Sequence, residues 1–306
     1  MLQFFVRRLI QTIPVVIGVT ILVFSLMHLI PGDPAQIIAG EAAPAAQVEA
    51  IRERLGLNDP IPIQYLRYMG NLLQGDLGQS IRSSRPVTGE IQARFWITMR
   101  LAIYSMVVSI FIGLIAGVIS AVRKYSLLDS LLMVVALFGL SMPNFWLGLM
   151  LIKYIAIELA LVPPSGWGTW QQAILPVLTL GTGGAAIIAR MTRSSMLDVI
   201  NQDYIRTARA KGLKERVVIY KHGLKNALIP VVTVIGIEAG MLLSGTVLAE
   251  TVFAINGMGR LAIDAIRARD FPLVQGIVLV FALTFVLVNM LVDISYRYLN
   301  KRIDLN

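Results

Sequence analysis

Long apolar runs, rather than alternation, dominate the chain. Leu9 to Ile30, Leu101 to Val122, Leu131 to Ile152, Ala227 to Ala249 and Leu273 to Ile294 carry almost no charge. Crossing about 30 Å of hydrocarbon takes about 20 apolar residues as helix, because only helices and closed barrels satisfy every backbone group in lipid. Five membrane-spanning helices follow. A shorter run, Ile174 to Ala189, contains Gly181, Gly183 and Gly184 and is weaker by hydropathy alone.

Charge between the runs supplies the sixth span. Lys and Arg in short loops gather on the cytoplasmic side. Arg123 and Lys124 follow the second run, and the segment from Arg190 to Lys225 carries Arg190, Arg193, Arg206, Arg209, Lys211, Lys214, Arg216, Lys221 and Lys225. Both segments belong inside, so the chain crosses back between them through Ile174 to Ala189. The expectation is an all-α membrane protein of six transmembrane helices with both termini cytoplasmic, a reading that Arg7, Arg8, Arg297, Lys301 and Arg302 share. Trp167, Trp170 and Tyr296 suit interfacial anchors. The first run is too long for a secretory h-region of about 7 to 15 residues, and it ends in Pro31-Gly32-Asp33-Pro34 rather than a cleavage site, so it reads as a retained helix.

Composition agrees with this picture. The hydrophobic fraction is 56% and the mean hydropathy +0.73, well above a soluble domain. Residues 1–306 are expected to form one transmembrane domain. There is no cysteine, which closes disulfides, thiolate metal sites and thiol nucleophiles. A net charge of +9 sits between apolar runs, with no separate polar domain to present to RNA or DNA, so no nucleic-acid partner is expected.

The external segment, residues 31–100, has apolar residues at helical spacing between Val48 and Leu55 and between Tyr65 and Leu73. Short amphipathic helices that cap the bundle, or dock an external partner, are expected. Gly113 with Gly117 and Gly236 with Gly240 place small residues on one helix face for close packing. Glu238 stands mid-span in the fifth helix, where a carboxylate facing lipid costs at least about 2.5 kcal/mol. It is expected to face protein or water, either as an acceptor in a translocation pathway or as a carboxyl fixing a helix contact. His28 reads as interfacial.

The cytoplasmic loop, residues 190–226, needs a job. Asp198 to Lys211 reads as a helix with a partial apolar stripe of Val199, Ile200, Ile205 and Ala208. Asp203 and Arg206 are spaced for an ion pair, and Gly212 is placed as the terminating glycine. A second short helix, Glu215 to Tyr220, leads through His222-Gly223 toward the membrane. Two helices hinged at a glycine make an elbow able to lie in a groove of another protein.

Tyr204-Ile205-Arg206-Thr207-Ala208-Arg209-Ala210-Lys211-Gly212, with Lys221-His222-Gly223-Leu224-Lys225-Asn226-Ala227, resembles the coupling loop of binding-protein-dependent ABC importer permeases, and in particular the peptide and nickel branch. Relative to the wider superfamily the loop lacks the glutamate of Glu-Ala-Ala and the later proline; Thr-Ala-Arg-Ala-Lys-Gly is the peptide-branch form. Pro31-Gly32-Asp33-Pro34, Ser141-Met142-Pro143-Asn144-Phe145-Trp146, Asn256-Gly257-Met258-Gly259-Arg260 and Arg269-Asp270-Phe271-Pro272 extend the resemblance over nearly the whole chain, with Asn256 where many relatives have proline.

The resemblance implies a type I ABC importer permease in a bacterial or archaeal plasma membrane. Its partners would be a second homologous permease subunit, two cytoplasmic ATPases docked at the elbow, and an external substrate-binding protein. Tyr204, Arg206, Thr207, Ala208, Arg209, Ala210, Lys211, Gly212 and Gly223 would form the ATPase-coupling loop. Cargo would be di- or oligopeptides or glutathione, with nickel or another metal chelate as the alternative. The subunit would be non-catalytic and hold no cofactor, ATP and Mg being bound by its partners. The sequence itself contains no Gly-x-x-x-x-Gly-Lys-Ser/Thr phosphate loop, in keeping with an outside energy source. A proton-coupled secondary transporter using Glu238 accounts for the carboxylate but not the elbow. An intramembrane serine protease using Ser244 lacks a histidine within reach.

Overall fold

The computed structural model describes residues 2–29, 33–40 and 42–299. Its helices run α1 (Leu2–Leu29), α2 (Pro34–Ala39), α3 (Ala45–Leu55), α4 (Ile61–Leu73), α5 (Val87–Val122), α6 (Leu127–Ser141), α7 (Asn144–Leu151), α8 (Trp170–Ile200), α9 (Asp203–Ala210), α10 (Glu215–Val217), α11 (Lys225–Val252), α12 (Met258–Arg267) and α13 (Phe271–Leu299). Ile152–Glu158 and Val218–Leu224 are π-helical. Among the described residues, Val87–Val122, Trp170–Ile200, Glu215–Val252 and Phe271–Val292 are long and apolar enough to cross a membrane. Leu127–Ser141 with Asn144–Glu158 makes a fifth if the pair is one span, and Ile10–Ser25 is a shorter apolar stretch.

Apart from Ile30, which lies outside the described residues, each expected apolar run falls within a helix or helix pair, and three details change. The second span does not begin at Leu101: its helix starts at Val87, so residues 87–100 of the expected external segment are the first turns of α5. The third run is not straight but bends by 104°. Pro143 has no N–H to donate and pushes the residue before it out of the helical region; Met142 is accordingly extended, at φ −82° and ψ 128°. The weak sixth run is the middle of a 31-residue helix, α8, that continues through Arg190 to Ile200. Thr169 starts it with a capping box to Gln172, two orphan donors satisfied at once.

The chain divides into two compact units: Met1–Trp96 with Arg260–Val286, and Ile97–Gly259 with Leu287–Asn306. In the first, Asp33 caps α2 through the Ala35 N–H and pairs with Arg52. Asp270 caps α13 at the Leu273 N–H and accepts from Ser80 Oγ and the Ile81 N–H, which ties the Arg269–Pro272 stretch to residues 80–81. His28 bonds Phe24 O and Gln64. Pro31 and Gly32, and the side chains of Arg7, Arg8, Tyr296, Arg297, Lys301 and Arg302, lie outside the described residues.

In the second unit, Leu101, Leu175, Leu180, Leu242, Phe253 and Ile255 form a buried cluster. Glycines set the approach of α5 to α8. A Cβ on Gly113 would lie 2.7 Å from Ile188 Cβ, and one on Gly117 would lie 2.5 Å from Thr192 Cβ and 2.6 Å from the Ala189 carbonyl oxygen. Gly236 packs against Val292 of α13 in the same way. The Ala189 carbonyl belongs to a helix backbone and has no rotamer with which to give way. Gly117→Val is therefore expected to abolish accumulation of folded chain in the membrane, whereas Gly18→Ala, which meets nothing within 4 Å, leaves it intact; membrane-fraction yield and detergent melting of the two variants check this.

The motif Asn256-Gly257-Met258-Gly259 has a packing explanation in the same unit. Glu250 is fully buried and accepts from Thr98 Oγ1 at 2.6 Å, and that hydroxyl oxygen also accepts the Met258 N–H at 2.8 Å. A Cβ on Gly257 would fall 2.3 Å from Glu250 Oε1, and one on Gly259 would fall 2.6 Å from Val247 Cα. Both glycines are there because the buried carboxylate and the α11 backbone leave no room.

Candidate functional site

The elbow is built from α9, the Lys211–Lys214 turn, and the helical continuation from Glu215. The expected helix from Asp198 is interrupted: α8 ends at Ile200, with Asn201 and Gln202 between it and α9. The expected separate helix Glu215–Tyr220 is instead the start of a continuous stretch, Glu215–Val252. Residue 215 is thus joined to α11 with no loop between.

Gly212 closes α9 in a Schellman arrangement. Its φ is +74°, its N–H donates to Arg209 O at 2.9 Å, and the Leu213 N–H reaches Ala208 O at 3.4 Å. These bonds satisfy the last carbonyls of the helix, and the left-handed backbone they need is the one glycine adopts at no steric cost. Ile205 and Ala208 turn inward and pack with Val218 and Val199. Tyr204 Oη accepts from Asn226 Nδ2 at 3.0 Å, and Arg209 grips Glu215 with Nη2 to Oε1 at 2.8 Å. That hydrogen bond raises the pKa of Arg209 above its ordinary value, against the opposing effect of burial, so the pair stays ionised. Both partners are substantially exposed, and the pair contributes at most about 1 kcal/mol. Asp203 and Arg206 form the expected ion pair at 3.6 Å on an open surface.

The geometry separates the predicted residues into two sets. Tyr204, Arg206, Thr207, Arg209, Ala210, Lys211 and Gly212 are exposed, while Ala208 and Gly223 are buried. Gly223 lies in the π-helical turn, where a Cβ would stand in ordinary contact with Met196 Cε of α8, at 3.6 Å. π-Helical turns are uncommon and recur at functional positions.

Sequence reasoning missed the anchor beside this elbow. Asp129, in the first turn of α6, is 3% exposed. It receives Arg193 in fork geometry, Nε at 2.7 Å and Nη2 at 2.8 Å, together with Ser120 Oγ and the Tyr125 N–H. One carboxylate thus ties the ends of α5, α6 and α8 together. The available signal was a lone aspartate three residues after the N-capping Ser126, at the edge of an apolar run.

Glu238 does not face lipid. It is 7% exposed, and its Oε2 lies 3.4 Å from where a Cβ on Gly184 would stand, beside Ser109. A Cβ on Gly184 would be tight against Ser109, with Oγ at 3.0 Å, and in ordinary contact with the carboxylate.

All-helical architecture, several membrane-length apolar helices and a structured polar elbow between two of them define a class: a multi-pass membrane permease. Two solved structures share the fold. The inward-facing MetNI methionine ABC transporter matches with a TM-score of 0.59 at 21% identity, over 69% of this chain and 96% of that one. An amino acid ABC transporter crystallised with histidines matches at 0.56 and 14%, over 69% and 94%. Residues 109–305 match the family described as "Binding-protein-dependent transport system inner membrane component", and residues 1–102 match its N-terminal counterpart. The chain belongs to this family of inner-membrane transport permeases. Among curated relatives, the glutathione transport system permease protein GsiC of Pectobacterium atrosepticum is 47% identical over 99% of both chains. GsiC of Escherichia coli K12 is 46% identical over the same shares.

Proposed function

We propose that this chain is a non-catalytic permease subunit of an ATP-driven importer that carries glutathione and di- or oligopeptides inward across the plasma membrane. It crosses the membrane six times with both termini in the cytoplasm. It pairs with a second, homologous permease, receives cargo from an external binding protein, and docks two ATPases that bind ATP and Mg. The cargo assignment rests on the identity to glutathione permeases along the full length.

The observation that carries the mechanism is the continuity of the elbow with the fifth span, from Glu215 to Val252. An ATPase gripping the exposed residues Tyr204, Arg206, Thr207, Ala210 and Lys211 moves α9. The buried contacts of Ile205 and Ala208 with Val218 hand that movement to the fifth helix. Glu238 sits on the same helix, 7% exposed beside Gly184 and Ser109; movement of α11 against α8 opens that contact and presents the carboxylate to the amino group of the cargo.

Uptake of labelled glutathione, dipeptides, oligopeptides and nickel into vesicles, with and without the neighbouring ATPase subunits, tests the reading. ATP-dependent uptake of thiol peptide or peptides is expected. Uptake by this chain alone on a proton gradient overturns it. In the same assay Glu238→Gln is expected to cut uptake several-fold with normal assembly, and undiminished uptake removes Glu238 from the pathway.

A further inference from the structure

Helix α4 belongs, by sequence, to the segment expected outside the membrane, yet its partners lie on α1. Tyr65 Oη and Thr20 Oγ1 share a hydrogen bond of 2.9 Å, and Gln64 Oε1 lies 3.2 Å from His28 Nε2. The rings of Tyr65 and Tyr68 pack on Phe24, with centroids 5.4 and 5.9 Å away. At 1.5 Å per residue, Thr20 stands about 14 Å along α1 from its end at Leu29. If α1 crosses the bilayer, α4 therefore lies between the level of His28 and that of Thr20, from the headgroup boundary into the upper acyl chains.

The surface of α4 fits that depth. Gln64, Tyr65 and Tyr68 turn toward α1. Ile63, Leu66, Gly70 and Leu73 recur at i, i+3, i+7 and i+10 and form one stripe away from it, on which Ile63, Leu66 and Leu73 are 48%, 68% and 83% exposed. No residue of α4 is buried, so among the described residues nothing covers that stripe. Gln64, Arg67 and Asn71 make a third, polar strip, and Arg67, the one charge in the helix, is held by Asp59 at 2.5 Å. Two apolar faces and a narrow polar strip are the pattern of a helix lying in the boundary between headgroups and acyl chains.

We infer that α4 is an embedded helix of the leaflet at the C-terminal end of α1, its Ile63, Leu66 and Leu73 stripe seated against phospholipid acyl chains. The hydrogen bonds to Thr20 and His28 fix its depth, and the lipid fixes the outward face. This rests on α1 being a membrane span. Lipid contact gives the segment between α1 and α5 a second anchorage in the bilayer, so that the outer entrance of the permease is coupled to the membrane as well as to protein.

The chain has no cysteine, so each introduced thiol is its single labelling site, and the accompanying subunits are used in cysteine-free form. The full chain, purified with the subunits that accompany it, is placed in phosphatidylethanolamine and phosphatidylglycerol vesicles and spin-labelled at Leu66→Cys, Leu73→Cys, Ile17→Cys or Arg82→Cys. Collision with oxygen reports lipid, and collision with water-soluble chromium oxalate reports solvent. Leu66→Cys and Leu73→Cys are expected to collide with oxygen as Ile17→Cys does and to lose the chromium access of Arg82→Cys. Chromium access at both α4 positions, with Ile17→Cys still in lipid, overturns the inference alone. Shielding of both from oxygen and chromium also overturns it, because protein then covers the stripe. Chromium access at Ile17→Cys overturns the span reading of α1, and the inference with it. Two label positions keep the test decisive if one substitution fails to fold.

Discussion

Gly212→Val and Ala208→Trp are each expected to cut ATP-driven uptake about tenfold or more, the effect of ~1.4 kcal/mol lost from coupling, while the chain still reaches the membrane. At Gly212 a Cβ would meet nothing within 4 Å, so the loss comes from the backbone alone. A φ of +74° costs an ordinary residue about 1 to 2 kcal/mol, and a β-branched one more. Valine therefore pulls the turn out of its left-handed shape and swings α9 away from Glu215. At Ala208 the loss comes from packing: the side chain is 8% exposed between Ile205 and Val218, and an indole there overfills the contact by about 1 to 3 kcal/mol. Gly212→Asn separates the two effects, because asparagine tolerates the left-handed region. It should keep most of the uptake. Normal uptake with Gly212→Val, measured beside ATP hydrolysis by the assembled complex, would remove the elbow from the coupling path.

The elbow was legible because its logic is local. A terminating glycine, an amphipathic turn and a run of basic residues lie within two dozen positions, and short-range rules read them directly. The apolar runs were legible as helices for the same reason, since lipid demands long apolar runs wherever they pack. What could not be read were the features that depend on a distant partner. Asp129 looks like an ordinary first-turn aspartate until Arg193, 64 residues later, arrives from α8. Gly257 and Gly259 read as a motif without a cause until Glu250 is seen filling their space. The bend at Pro143 was readable in principle, because a proline in mid-run removes a helix bond, but hydropathy counts composition and ignores backbone donors. The weak run Ile174 to Ala189 illustrates the converse. Its glycines lower hydropathy because they make room: Gly181 lies against the Ser105 carbonyl oxygen and Gly184 against Ser109. A span that looks doubtful by composition is a central helix of its unit.

The Asp129 anchor is expected to be the costliest polar site to break. Its carboxylate takes four donors from three elements and is nearly sealed from solvent, whereas the Arg193 side chain keeps 26% exposure. Removing one partner of a buried pair costs about 3 to 5 kcal/mol, because the other charge is left uncompensated. For Asp129→Ala the low end applies, about 3 kcal/mol, since Arg193 retains a route to water. Asp129→Asn should fall between, keeping an acceptor for Ser120 or the Tyr125 N–H but losing the fork to Arg193. The double variant Asp129→Leu with Arg193→Met removes both charges and should recover most of the stability, because a paired charge contributes little beyond a well-packed apolar pair. Thermal unfolding in detergent orders the four proteins. If Asp129→Ala melts with the parent, the ends of α5, α6 and α8 are held by packing alone. If the double variant is stable yet transports poorly, the anchor also serves as the fixed point against which the neighbouring elbow turns, because a lever whose pivot has loosened moves without conveying force to the fifth span.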